Sequence, residues 1–91
     1  YNFVTTQATE PLKLEILPNP NSGTFTIQYH LPQLQEGEIE IINLYGEIIA
    51  NFKRPMWSSI LNVSLPNLPN GLYLVRLKSG EKTVSTKMIV E

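Results

Sequence analysis

The chain has 91 residues, of which 42% are hydrophobic and 16% are charged, and its net charge is −1. This length suits one small domain, and the composition is typical of a globular β protein and argues against a disordered chain. The absence of cysteine excludes disulfides and thiol chemistry, and no apolar run approaches the roughly 20 residues of a membrane helix.

The first 11 residues are predicted to be a linker. Residues 5–11 are polar or small and follow no apolar period. The same stretch lacks the basic and apolar regions of a signal peptide, so an exported form would need further sequence upstream. We therefore expect residues 1–11 to connect an upstream domain to a folded domain at residues 12–91.

The folded part is predicted to consist of short strands. Turn residues recur about every ten positions and no stretch has a helical period, which is the all-β pattern. In LKLEIL (residues 12–17) and TFTIQYHL (residues 24–31) apolar and polar residues alternate. One face of each strand is therefore expected to be buried.

The third segment, GEIEIINLY, begins as an alternation with Glu38 and Glu40 on the solvent face. Its phase slips at residues 41–42, which indicates either a bulge or burial of both faces. A tight turn at residues 45–46 then leads into EIIANFK. The next segment, SILNVSL, offers three side chains to the core, those of Leu61, Val63 and Leu65.

The sixth segment, NGLYLVRL, is nearly continuous in apolar residues and predicts a central strand with both faces covered. Arg76 is unusual in such a strand, and we expect it near the end of the sheet, where its head can reach water. Ser79-Gly80 is predicted to join this strand to the terminal strand in a tight hairpin.

Together these segments predict an all-β fold, an immunoglobulin-like antiparallel β-sandwich of about seven strands. A small open barrel is the alternative. The Cys–Trp–Cys core of antibody domains is absent, and Trp57 belongs to the predicted loop RPMW.

No catalytic, metal or cofactor site is predicted. The only histidine, His30, lies on the polar face of a strand, and the chain has no Asp, which excludes a Ser-His-Asp triad. Glu38 and Glu40 are the one candidate carboxylate pair, but an exposed strand face is the simpler interpretation. A single His with scattered Glu gives no metal-ligand pattern. No phosphate loop and no basic cluster with aromatics is present, so nucleic-acid binding is not expected.

Two stretches have both a structural and a recognition interpretation. In LPNPNSG, Pro18 and Pro20 cannot donate to a sheet ladder, and the residues that follow have turn chemistry. Whether a partner also contacts this turn stays open at this point. Lys87, on the outward face of the last strand, either protects a sheet edge from unwanted pairing or contacts a protein that captures the chain end.

The order of these segments resembles a known family. Pro18-Asn19-Pro20, GTFTI, NLYGEII, LPNLPNGLYLVRL and the terminal KMIV strand follow one another as in the type A C-terminal sorting domains of type IX secretion cargo proteins of Bacteroidota. The resemblance covers residues 12–91. It implies a seven-stranded sandwich that carries no reaction of its own.

The resemblance also implies sorting-motif positions, which are Pro18, Asn19, Pro20, Gly46, Gly71, Leu72, Tyr73, Arg76, Lys87 and Val90. Three positions depart from the family pattern. Leu17 stands where an aromatic residue is frequent, Asn43 where Asp is frequent, and Glu47 where a basic residue is frequent. We therefore do not expect a partner to recognise the turn around Gly46.

For partners, the resemblance implies a passenger domain in the same chain, the type IX translocon and a sortase-like peptidase. The passenger would pass through the periplasm and reach the cell surface or the outside, where the peptidase commonly removes the sorting domain. We expect recognition through the terminal hairpin, residues 71–91, because a terminal strand can offer an edge for main-chain pairing.

Two other functions remain as alternatives. An accessory immunoglobulin-like module that binds carbohydrate would need an exposed aromatic platform, for which Trp57 and Tyr45 are the candidates. A purely structural spacer would need no specific surface at all.

Overall fold

The computed structural model describes residues 12–32 and 34–91, so the predicted linker at residues 1–11 lies outside the described residues. Seven strands follow one another in the described part: β1 (Lys13–Leu17), β2 (Thr24–His30), β3 (Gly37–Ile42), β4 (Ile48–Arg54), β5 (Ile60–Ser64), β6 (Gly71–Ser79) and β7 (Lys82–Val90). Each corresponds to a predicted segment. Among the described residues, no helix has the length and apolar character needed to cross a membrane.

The strands form two antiparallel sheets, with the orders β1-β2-β5 and β4-β3-β6-β7. This division of seven strands is that of an immunoglobulin-like sandwich and confirms the predicted fold class. The strand β1 is an edge of the three-stranded sheet, β7 is an edge of the four-stranded sheet, and the two are in contact. The first and last strands of the domain therefore meet along one side of the sandwich.

The core lies between the two sheets and is built from the alternating positions of the strands. Phe25, Ile27 and Tyr29 of β2 are buried, as the alternation predicted, and Val63 of β5 lies beside them. The facing sheet contributes Ile39, Ile41, Tyr73, Val75, Leu77, Met88 and Val90. Val90, the last residue of β7, thus belongs to the core.

The phase slip predicted in β3 is a β-bulge. The β3–β4 register shifts between Ile41, which pairs with Ala50, and Ile42, which pairs with Ile48. The bulged residue between these partners is Ile49. Successive residues of a strand face opposite sides, so Ile41 lies in the core and Ile42 lies on the outer face, where it is also buried.

The structure corrects three expectations for the outer face of the four-stranded sheet. Glu40 was expected to be solvated but is only 4% exposed. Arg76 lies in the middle of β6, directly opposite Glu40, and not at the end of the sheet. The strand β6 is central, as predicted, but its outer face is incompletely covered, because residues 12–32 and 34–91 form two layers and place no third layer there. Leu72 is 36% exposed.

Candidate recognition surface

Most of the predicted motif positions lie at one end of the four-stranded sheet. Gly71 pairs with Val90, and Leu72 pairs with Ile89, so the start of β6 lies beside the end of the chain. Since β3 pairs with β6 through Ile42, the β3–β4 turn points to the same end. The Pro18–Pro20 segment also reaches this end, through contacts that it makes with β7.

Asn19 bonds to the edge of β7 with its side-chain amide. Its Nδ2 donates to the carbonyl of Lys87 at 3.0 Å, and its Oδ1 accepts from the backbone N–H of Ile89 at 2.9 Å. A carboxamide offers one donor and one acceptor, as a peptide group does. The Asn19 side chain therefore takes the place that a peptide group of a neighbouring strand would take.

Asn21 continues this contact with its main chain. Its N–H donates to the carbonyl of Ile89 at 3.0 Å, and its carbonyl accepts from the N–H of Glu91 at 2.8 Å, which makes a parallel bridge opposite Val90. The Asn21 side chain is buried and also bonded, since Nδ2 donates to the carbonyl of Pro18 and Oδ1 accepts from the N–H of Gly23. We call the contact of Asn19 and Asn21 with residues 87–91 the terminal clasp.

The terminal clasp changes the interpretation of the chain end. The edge of β7 was expected to be accessible for pairing with a partner, but from Lys87 to Glu91 it is already paired within the domain. Sequence reasoning assigned Asn21 only turn chemistry and so missed its main-chain role. The signal available in the sequence was the pair of Asn residues that flank Pro20, each able to bond where proline cannot.

Two of the predicted motif residues face the core. Val90 is 2% exposed and belongs to the core cluster. Tyr73 is buried as well, and its hydroxyl donates to the carbonyl of Pro69 at 2.6 Å, which fixes the loop before β6. Neither side chain is accessible to a partner in the folded domain, so their role here is to hold β6 and β7 in place.

Arg76 takes part in a charged network on the outer face. Its Nε and Nη2 donate to Oε1 of Glu40 at 2.9 and 2.6 Å, and Lys78 Nζ lies 3.5 Å from Oε2 of the same carboxylate. A buried carboxylate is tolerated only when it is paired and hydrogen-bonded. Arg76 therefore compensates Glu40, which explains why a cation occurs in a central strand.

Glu38 closes the same network near β4. Its pKa is lowered from the ordinary value, first because Asn51 Nδ2 donates a 2.6 Å hydrogen bond to Oε2, and further because of the nearby positive charge of Lys78. The candidate carboxylate pair of Glu38 and Glu40 is thus engaged with Lys78, Arg76 and Asn51. Both groups have structural partners that account for their positions.

Apolar side chains cover the outer face beyond this network. Residues that pair directly across strands share a face, and the pairs Ile42–Ile48, Ile42–Leu74 and Leu72–Ile89 place five apolar residues together. We call these five residues, Ile42, Ile48, Leu72, Leu74 and Ile89, the outer apolar patch. Leu72, Ile89 and Ile48 are 36%, 43% and 53% exposed.

Lys87 borders this patch, because it pairs with Leu74 and lies on the same face. Its side chain is exposed. Gly46, the remaining motif position, lies in the exposed β3–β4 turn with φ at 84°. In that turn, Asn43 Oδ1 accepts the N–H groups of Tyr45 and Glu47, so the Asn that replaces the frequent Asp still makes the turn's side-chain bonds.

The two aromatic residues proposed for a carbohydrate platform lie apart. Tyr45 precedes β4 and Trp57 follows it, and a strand of seven residues spans about 23 Å. They therefore do not form one stacking surface. Among residues 12–32 and 34–91, no group of three His, Cys, Asp or Glu side chains could hold a metal ion.

Comparison with known proteins identifies the family. A family model described as a secretion system C-terminal sorting domain matches residues 15–91, which include every predicted motif position. No curated protein matches the chain. The family is that of the type IX sorting signals and suggests a non-catalytic domain that takes part in secretion toward the cell surface or the extracellular space. On its fold, its motif order and this match, the chain belongs to the family of secretion system C-terminal sorting domains, the C-terminal sorting signals of type IX secretion.

Proposed function

We propose that residues 12–91 are a folded sorting signal that the type IX outer-membrane translocon binds through the terminal hairpin, residues 71–91. A passenger domain precedes residues 1–11, which link it to the sorting domain. The passenger passes through the periplasm, the translocon exports it, and a sortase-like peptidase cleaves in the linker. The product then stays on the cell surface or is released.

The observation that carries this proposal is the family match over residues 15–91, combined with the geometry of the hairpin. Strands β6 and β7 pair over nine residues each, from Gly71–Val90 to Ser79–Lys82. Their inner face is core and their outer face carries exposed apolar and charged side chains. A partner can therefore contact the hairpin without unfolding it.

A reporter fusion tests the proposal. Residues 1–91 are fused to the C-terminus of a periplasmic reporter in a host with a type IX system and in the same host without its translocon. We expect the reporter outside the cell only in the first host, and mass spectrometry of the exported product should find cleavage between the reporter and residue 12. A reporter that stays in the periplasm of both hosts would refute the proposal.

Truncation of the chain end is a poor test, and the structure gives the reason. Deleting residues 87–91 removes Met88 and Val90 from the core as well as the terminal clasp. A buried apolar side chain is worth about 1.5–3 kcal/mol, so loss of export after truncation would follow from unfolding alone. Substitutions on the outer face avoid this problem because they leave the core intact.

A further inference from the structure

The outer apolar patch has three exposed members, Ile48, Leu72 and Ile89, and none of its five residues belongs to the core cluster. Its members Leu72, Leu74 and Ile89 belong to the terminal hairpin, and Ile42 and Ile48 extend it across β3 and β4. On the opposite face of the same strands, the alternate residues fill the core. Contiguous exposed apolar surface on a small domain marks an interaction site more often than single exposed residues do.

Lys87 gives this patch a charge. The other two cations on the face of β6, Arg76 and Lys78, pair with Glu40 and Glu38. Within the part of the chain that the structure describes, the Lys87 ammonium makes no ion pair. An unpaired cation at the border of an apolar patch favours a partner that brings a carboxylate to that border.

We propose that the outer apolar patch and Lys87 together form the docking surface for a protein of the secretion machinery that presents apolar side chains beside an acidic residue. This inference rests on the proposed function and specifies the surface that the secretion machinery contacts. Because the terminal clasp occupies the β7 edge from Lys87 to Glu91, the partner contacts the outer face by its side chains and does not add a strand at that edge.

Export of the reporter fusion measures the effect of each part of the surface. Leu72→Thr/Ile89→Thr removes the two most exposed hairpin members of the patch and puts β-branched side chains, which suit a strand, in their place. Lys87→Glu reverses the charge alone. We expect each to lower export by about tenfold or more, as the loss of an interface hot spot does. Matched controls on the other sheet are Ile60→Thr, which is 50% exposed on β5, and Lys13→Glu, which is exposed on β1; both should export like the parent.

Thermal unfolding of each purified fusion separates binding from folding. If the double variant unfolds at the growth temperature, Lys87→Glu, which leaves the apolar residues in place, still decides the outcome. If the parent fusion is exported and both the double variant and Lys87→Glu are exported equally well, the proposed docking surface is wrong while the proposed function stands. If the parent itself is not exported, both fail. Dimerisation of the purified domain that the patch variants abolish would show a second copy as the occupant and overturn the inference.

Discussion

At the scale of single residues, Gly23 shows how closely the turn after Pro20 is packed. Its φ is 103°, and a Cβ at this position would overlap the carbonyl oxygen of Leu65. We predict that Gly23→Ala lowers the free energy of unfolding by more than about 2 kcal/mol, because a left-handed conformation and a backbone overlap both oppose it. Urea unfolding measures the change.

Gly46→Ala is the matched control for that prediction. Gly46 has φ at 84° but open space around a Cβ, so the conformational cost of about 1–2 kcal/mol acts alone. Equal losses at the two positions would mean that the close approach to Leu65 contributes nothing.

The Arg76–Glu40 pair gives a second prediction at this scale. Arg76→Leu should lower the free energy of unfolding by about 2 kcal/mol, because a buried carboxylate loses its main partner. The double variant Arg76→Leu/Glu40→Leu should return to within about 1 kcal/mol of the parent, since two apolar side chains can pack across the strands. A double variant that is less stable than Arg76→Leu would contradict this account of the pair.

Glu38 provides a pH-dependent test. Its pKa lies below the ordinary value chiefly because of the Asn51 hydrogen bond, so its contribution to stability is present above the ordinary pKa and is lost as pH falls through the lowered one. NMR titration of the Glu38 carboxyl carbon should find the pKa rising in Asn51→Ala. An unchanged pKa in that variant would assign the shift to the neighbouring lysines instead.

At the scale of elements, the terminal clasp determines which part of β7 stays protected. Asn19→Ala removes two hydrogen bonds to β7, each worth about 1 kcal/mol. We predict faster amide hydrogen exchange at Ile89, whose N–H bonds to Asn19, than in the parent. The amide of Tyr73, in the neighbouring strand, is the internal control.

Asn19→Asp refines this test, because it keeps the acceptor for Ile89 and replaces the donor to Lys87 with a carboxylate oxygen, which cannot donate. It should protect the Ile89 amide better than Asn19→Ala does. Equal exchange at Ile89 in the parent and in Asn19→Ala would show that the clasp does not stabilise the chain end.

The elements could be predicted from the sequence to different extents. Alternation in β1 and β2 and the phase slip at residues 41–42 were visible, because side-chain period is a local property. The terminal clasp was not, since it joins residues 68 and 70 positions apart. For the same reason the partner of Arg76, which lies 36 residues away, could not be identified. The alternation of residues along a strand indicates which face is apolar, but it does not indicate which residue of another strand lies opposite a given residue.

At the scale of the whole molecule, a two-layer sandwich has two outer faces, and only one of them carries the motif-bearing hairpin. Of the ten motif positions assigned by resemblance, the buried Tyr73 and Val90 and the bonded Asn19 hold the hairpin in shape. Leu72 and Lys87 present it to the outside. We infer that recognition depends on the folded state, because Tyr73, Val90 and Asn19 stabilise the hairpin while the exposed Leu72 and Lys87 are accessible to a partner.

Comparison with an unrelated β-sandwich tests the central claim most directly. A reporter carrying residues 1–91 and the same reporter carrying an unrelated sandwich of similar size are expressed in one type IX-competent host, and the fraction of reporter outside the cell is measured. The account predicts that only the first reporter leaves the periplasm. Equal export of the two would reduce the domain to a spacer and contradict the account.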